Sequence, residues 1–332
     1  MVVPSSAAGA WSAPTTVSGA GSSTSQTRIA GAADGSSWVV WKREVGGFDV
    51  IQGTRVQVDG TQGPIVTFSG PTLDADCPVV ASRADGSAMV AWLNLSALDD
   101  TVQSRSIAAD GTLGPIETRS AVGPVGQPAS CVDIALGDDG TAALTWRKFN
   151  GTNWVAQAVK IAADGTSGTI HNLSDPTADV GAPSIAAAPA AVMGEAVSYR
   201  IMWPQGSGTN SNVGARDINA DGSLTDAVLV FSTGDVCQDP FDMNVTYGDV
   251  DGAMNAFWVC YRDTINFSNG EHFFNWSVQW LRVLRGGSVT PGLLPENISP
   301  TIQGSPYKIN GVTAASAYGG QPAVAWIHEL GG

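Results

Sequence analysis

Short apolar runs that end on tryptophan recur along this chain, as in Ser37-Trp38-Val39-Val40-Trp41, Ala88-Met89-Val90-Ala91-Trp92 and Ala323-Val324-Ala325-Trp326. Six such tryptophans, Trp41, Trp92, Trp146, Trp203, Trp258 and Trp326, stand 51, 54, 57, 55 and 68 residues apart. A pattern repeated at near-constant spacing marks a repeat architecture, which has to be recognised before any local reading. Seven residues ahead of most of them lies a tight-turn pair: Asp34-Gly35, Asp85-Gly86, Asp139-Gly140, Asp251-Gly252 or Gly319-Gly320. These dipeptides reach positive φ cheaply, as a two-residue hairpin requires. The fourth unit has instead a longer, proline-bearing stretch from Ala188 to Gly194. Eighteen residues after the tryptophan a second turn follows, at Asp59-Gly60, Asp110-Gly111, Asp164-Gly165 and Asp221-Gly222, while the fifth unit delays it to Gly286-Gly287, ten residues late. Each unit therefore predicts four antiparallel strands, A to D, in about 50 to 60 residues.

The two ends of the chain complement each other in this register. Ala8–Ser18 aligns with Asp59–Ser69, a C–D piece, whereas the chain closes six residues past Trp326 on an A–B piece. The fold expected is all-β: a six-bladed β-propeller, with N-terminal C–D strands pairing with C-terminal A–B strands. The blades fall at about 26–70, 77–121, 131–175, 183–232 and 241–299, and the last combines about 307–332 with 1–19. The repeat resembles the tandem DG-x-A-x-V-x-W propellers of bacterial surface and secreted proteins, and it covers essentially the whole chain. Likeness to sialidases extends to blade number only, because Ala33-Asp34-Gly35-Ser36-Ser37-Trp38 lacks the residue that their Asp-box places between Asp and Gly.

Alternation along strand B puts the six tryptophans on one face, with Val40, Ala91, Thr145, Met202, Phe257 and Ala325 on the other. A large ring set against the smaller side chains of a neighbouring blade fills interblade space, so the tryptophans read as structural core.

Composition narrows the function mostly by exclusion. Charged residues are 14% of the chain and the net charge is −14 with 16 basic residues, which leaves no cationic footprint for nucleic acid. No apolar stretch is long enough for a membrane-spanning helix, so membrane insertion is not expected. No signal peptide is visible, and an acidic, lysine-poor surface suits an extracellular or cell- or particle-surface setting. Three histidines, none in ligand spacing, give no metal site, and no cofactor motif is present.

In such a blade the A–B and C–D turns share one face, and the B–C and D–A connections the other. The second face holds nearly all the length variation, and binding residues gather on variable loops of a rigid scaffold. It is richest in the fifth unit, where residues 231–280 carry 11 of the 25 aromatics. The ligand-binding candidates are Asp239, Phe241, Phe267, Glu271, His272, Phe273, Phe274 and Trp276, read as a loop offering ring faces and orienting polar groups to a sugar or peptide. Four cysteines, Cys77, Cys131, Cys237 and Cys260, suggest two bridges: Cys77–Cys131 between neighbouring blades and Cys237–Cys260 within the fifth. With no catalytic motif, the function expected is a non-enzymatic recognition or adhesion module for glycan or protein, able to form part of a larger surface or virion assembly. The alternatives are a glycan-processing hydrolase or lyase using carboxylates near the central channel, and a structural spacer.

Overall fold

The structure is a computed structural model, and it describes residues 14–21, 23–96, 99–121, 127–188, 199–206, 212–232, 239–247, 254–266, 271–283, 296–297, 302–303, 308–316 and 322–329. Among the described residues the chain is all β, arranged as six antiparallel sheets. The first holds β1 (Thr24–Gly31), β2 (Ser37–Val45), β3 (Phe48–Val56) and β4 (Val66–Thr67) in that spatial order. The second holds β5 (Ala75–Ser82), β6 (Ala88–Asn94), β7 (Thr101–Ile107) and β8 (Leu113–Thr118), and the third β9 (Ala129–Leu136), β10 (Ala142–Phe149), β11 (Trp154–Ile161) and β12 (Ser167–Asn172). The fourth is β13 (Ser184–Ala187), β14 (Tyr199–Gln205), β15 (Asn212–Ile218) and β16 (Val228–Ser232). In the fifth, β17 (Asp239–Tyr247) and β18 (Met254–Asn266) lead to β19 (Glu271–Val283), which β20 (Glu296–Asn297) and β21 (Ile302–Gln303) both join. The sixth pairs β22 (Lys308–Ser316) with β23 (Pro322–Glu329). The first strands of successive sheets are neighbours, β1 beside β5, then β9, β13, β17 and β22, so the sheets are blades about a common axis and the molecule is a β-propeller. The expected pairing of the N-terminal segment with the last sheet rests on residues 8–13, which lie outside the described residues.

The Asp-Gly turns are one residue longer than a two-residue hairpin. Ala32 N–H donates to Ser36 O at 2.8 Å and Gly35 N–H to Ala32 O at 3.0 Å, so the loop is Ala33-Asp34-Gly35. Only the glycine takes positive φ, 80° at Gly35, and this is the three-residue loop in which a left-handed residue makes the bulge. The aspartate acts through its side chain instead. Asp34 Oδ1 accepts the N–H of Ser36 at 2.8 Å, and Asp59, Asp85, Asp110, Asp139, Asp164 and Asp221 do the same for the residue two positions on. Aspartate suits the site because its short carboxylate caps its own turn.

Neighbouring blades are stitched at these turns by long cations. Arg55 donates to Ala109 O at 2.8 Å, Arg119 to Gly165 O at 3.0 Å and Lys160 to Ala220 O at 2.6 Å, each a carbonyl at the following blade's C–D turn. Among the described residues four apolar clusters lie between the blades. One sets Trp38 and Val40 of the first sheet against Trp92 and Val90 of the second, and another sets Met89, Ala91 and Leu93 against Trp146 and Leu144 of the third. Trp41, Trp92, Trp146, Trp203 and Trp258 are all fully buried.

Innermost strands share an irregularity. The β1–β2 pairing shifts between Ser25 and Arg28, β5–β6 between Asp76 and Val79, and β17–β18 between Phe241 and Asn244; β9 and β22 shift at the corresponding place. At the bulge Gln26 has φ 54° and Cys77 has φ 49°, left-handed values that non-glycine residues adopt only when surroundings impose them.

Two further expectations are corrected. The ten-residue insertion of the fifth blade is not a loop: it lengthens strands B and C, which pair without interruption from Met254↔Val283 to Asn266↔Glu271. Threonine, isoleucine and aromatic residues there suit a two-stranded ribbon, so the hairpin grows outward. Cys77 carries a thiol, not a bridge, and its Sγ lies 3.7 Å from Asp76 Oδ2. Cys77 packs instead against the apolar cluster shared by the second and third blades. Cys260 is disulfide-bonded, and Cys237, its expected partner, lies outside the described residues.

Candidate functional site

The fifth-blade candidates sit at one end of one sheet. Asp239 and Phe241 belong to β17, opposite Tyr261 and Val259 of β18. Glu271, His272, Phe273, Phe274 and Trp276 belong to β19, opposite Asn266, Ile265, Thr264, Asp263 and Tyr261. Phe267 lies outside the described residues. The ribbon thus gathers these positions along the B–C end of blade five.

A second constellation, not singled out from sequence, surrounds the axis on the same B–C/D–A side. Strand A enters from this side, so residues just before its bulge line the mouth and those just after it lie deeper. At the mouth, Lys42 Nζ stands 2.9 Å from Asp76 Oδ1 and 3.3 Å from Asp49 Oδ2. Burial alone would raise the Asp76 carboxyl, but the hydrogen bond and charge of Lys42, with Gln26 and the Cys77 N–H, outweigh it and hold the group below the usual carboxylate value. Lys42 is correspondingly raised, first by its hydrogen bond to Asp76. Asp74 fixes this corner by accepting the N–H of Asp49 at 2.8 Å.

Deeper, on β9, Asp133 occupies the seam between the third and fourth blades. Its Oδ2 accepts Ser184 Oγ–H at 2.9 Å and Ile185 N–H at 3.1 Å from β13, and its Oδ1 accepts Ile134 N–H at 2.9 Å. The residue is half-buried, with its carboxyl drawn out of solvent. That burial pushes the Asp133 carboxyl up, against the three hydrogen bonds and the more distant charge of Arg28. Arg28 stands at the equivalent level of β1, each pairing with the residue before the blade's tryptophan, Val40 and Thr145.

Arg147 lies above Asp133 in the third blade, its guanidinium 4.8 Å from the Trp154 ring centroid, and the Phe149 ring, tilted by 53°, lies 5.5 Å from the same ring between centroids. Asp179 anchors this corner by accepting Trp154 N–H at 2.7 Å, the counterpart of Asp74 and Asp49 in the first blade. Among the described residues no group of three or more His, Cys, Asp or Glu could hold a metal, and no helix is long and apolar enough to cross a membrane.

No family model and no curated protein matches the chain. Solved structures do. An α-L-arabinofuranosidase of Fusarium graminearum, in complex with arabinobiose, superposes with a TM-score of 0.50 at 12% identity, over 80% of this chain and 91% of that one. A Penicillium chrysogenum α-L-arabinanase gives 0.48 at 14% identity, over 80% and 91% of the two chains, and an endo-arabinase of Bacteroides thetaiotaomicron gives 0.39 at 11%, over 84% and 92%. The likeness is one of fold. It corrects the expectation of a non-enzymatic adhesion module: the propeller that superposes at 0.50 is named as an α-L-arabinofuranosidase. At these identities the chemistry has to come from this chain's own residues.

Asp133 and Asp76 escaped the sequence reading because each looks like one more aspartate among turn residues. A signal was present. Asp133 interrupts the run Val132-Asp133-Ile134-Ala135-Leu136, and a carboxylate inside an apolar strand needs a reason.

Proposed function

We propose that this protein is a glycan-processing hydrolase whose reaction centre lies at the axial mouth on the B–C/D–A side. The observation that supports it is a pair of carboxyls, on the innermost strands of adjacent blades, whose surroundings push them in opposite directions: Asp133 raised by burial, Asp76 lowered by Lys42. Splitting two carboxyls in this way assigns acid and base roles. Asp133, whose carboxyl burial raises above the usual carboxylate value, delivers the proton to the leaving glycosidic oxygen. Water adds to the anomeric carbon, and the proton it sheds passes to the Asp76 carboxylate, which Lys42 holds ionised. The Arg147–Trp154 corner and the fifth-blade ribbon supply ring faces and polar groups for the sugars to either side. An acidic chain with a disulfide-bonded Cys260 suits action outside the cell.

Arabinobiose and longer arabino-oligosaccharides are the first probes, because a solved structure of this fold holds arabinobiose. Release of reducing ends from a glycan panel, with Asp133→Asn and Asp76→Asn each lowering the rate by roughly 10²–10⁴, is the expected result. Wild-type rates in both variants, or no cleavage anywhere in the panel, would remove the hydrolase reading.

A further inference from the structure

Ser184 is held from two sides. Its Oγ accepts Val245 N–H from β17 at 3.3 Å and donates to Asp133 Oδ2 at 2.9 Å, so one hydroxyl joins the innermost strands of blades three, four and five. A serine hydroxyl has a single proton. With Val245 N–H approaching one side of the oxygen, that proton points to Asp133, and Ser184 is only 2% exposed, so no solvent competes for it. Oδ2 also accepts Ile185 N–H at 3.1 Å, which fills both of its in-plane lone pairs. Among the described residues Oδ1 accepts Ile134 N–H alone. A proton on Oδ2 would have to displace a donor, whereas Oδ1 has a lone pair to receive it.

We infer that Ser184 is a positioning residue: by keeping Oδ2 occupied it places the acid proton of Asp133 on Oδ1, and through Val245 it ties that proton's location to the backbone of blade five. The inference rests on Asp133 being the acid proposed above. The charged group that faces Asp133 is Arg28 of β1. Thr145, opposite it on β10, is uncharged, as are Ser184 and Ile185 on β13 and Asn244 and Val245 on β17. Arg147, further along β10, is turned to Ser130 Oγ and Val180 O at 3.4 Å each.

The test follows the Asp133 carboxyl directly, by infrared difference titration of the full chain labelled with ¹³C-aspartate, using Asp133→Asn as the blank. Ser184→Ala removes a donor from the ionised form, so the titration should move up by about one pH unit, tenfold in the protonation equilibrium. With the proton free to sit on Oδ2, kcat on arabino-oligosaccharides should fall while KM holds. Ser184→Thr keeps the hydroxyl and should restore both readouts. Ser184→Cys, nearly the same shape with a weaker donor, should shift the titration in the same direction and serves if the alanine variant does not fold. An unmoved titration in the Ala or Cys variant, or a threonine variant that behaves like alanine, overturns the inference. A shifted titration in a protein that cleaves no glycan would leave Ser184's role standing and remove the hydrolase reading instead.

Discussion

The guanidinium of Arg83, rooted in the second blade, donates to Gly140 O in the Asp-Gly turn of the third at 2.7 Å. The same side chain reaches Thr141 O at 2.9 Å and Gly137 O at 3.0 Å, so one fork closes over an entire turn of the neighbouring blade. Arg83→Ala should destabilise the fold by about 1–3 kcal/mol, the range for hydrogen bonds to a charged group. Arg83→Lys should recover only part of that, because an ammonium cannot reproduce the planar fork. Urea denaturation of the three proteins measures both, and an alanine variant as stable as wild type would show the contacts to be incidental.

Trp146 Nε1–H donates to Gln157 Oε1 at 3.1 Å, across the β10–β11 pair. Gln157→Leu leaves a fully buried indole N–H without an acceptor and should cost about 1–2 kcal/mol. Trp92 faces Gln103 in the same register, yet its Nε1 has no hydrogen-bond partner. Gln103→Leu should therefore be close to neutral by the same denaturation measurement. Equal losses in the two variants would contradict the assignment.

Where the fourth blade would place the glutamine it has Gly214, opposite Trp203. A Cβ there would come within 2.5 Å of Trp203 Cε2. Gly214→Ala forces the buried ring to move and should destabilise by about 1–3 kcal/mol, with a red shift in tryptophan emission as the ring meets water. Full stability in this variant would mean that the blade relaxes more readily than its packing implies.

Acid and base act on this fold with opposite signs. The turn aspartates Asp34, Asp59, Asp85, Asp110, Asp164 and Asp221 are lowered from 3.8, chiefly by hydrogen bonds from the Ser or Thr two residues on. Near and below that value the unfolded chain binds more protons than the folded one, so stability is lost as pH falls through the folded-state values. Asp133 is raised by burial, so the stability gained from its proton is complete at low pH and lost as pH rises through its folded-state value. Thermal midpoints recorded from about pH 8 to about pH 2 should show the acid decline in wild type and in Asp133→Asn alike, with the loss that sets in as pH rises above the ordinary carboxylate range reduced in the variant. A profile unchanged above the ordinary carboxylate range would argue that burial does not raise Asp133.

The repeat made the blades legible because Asp-Gly turns and buried tryptophans are dictated by local chemistry. A carboxylate that caps its own turn and a ring that needs a flat partner leave the same mark in every unit. The Trp-x₁₀-Gln spacing of Trp41/Gln52, Trp92/Gln103 and Trp146/Gln157, widened by the ten-residue insertion at Trp258/Gln279, is equally visible in the sequence. Lys42, Asp76, Asp133 and Ser184 carry no such mark. Their chemistry comes from strands of different blades meeting at the axis, 34 residues apart for Lys42 and Asp76 and 51 for Asp133 and Ser184. The fifth-blade insertion was visible by length, but its state was not: a polar, aromatic-rich segment becomes ribbon only because β18 and β19 already run side by side beneath it.

That ribbon ages the molecule unevenly. Through Tyr261, β18 is flanked by both β17 and β19, and β21 covers β19 as far as Asn275, opposite Arg262; beyond that, among the described residues, Asp263–Asn266 and Glu271–Phe274 have only each other. Two strands by themselves are marginal in water, so the outer end of the hairpin should exchange its amides first and yield first to a protease. The innermost strands, locked by their neighbours on both sides, should be the last to change.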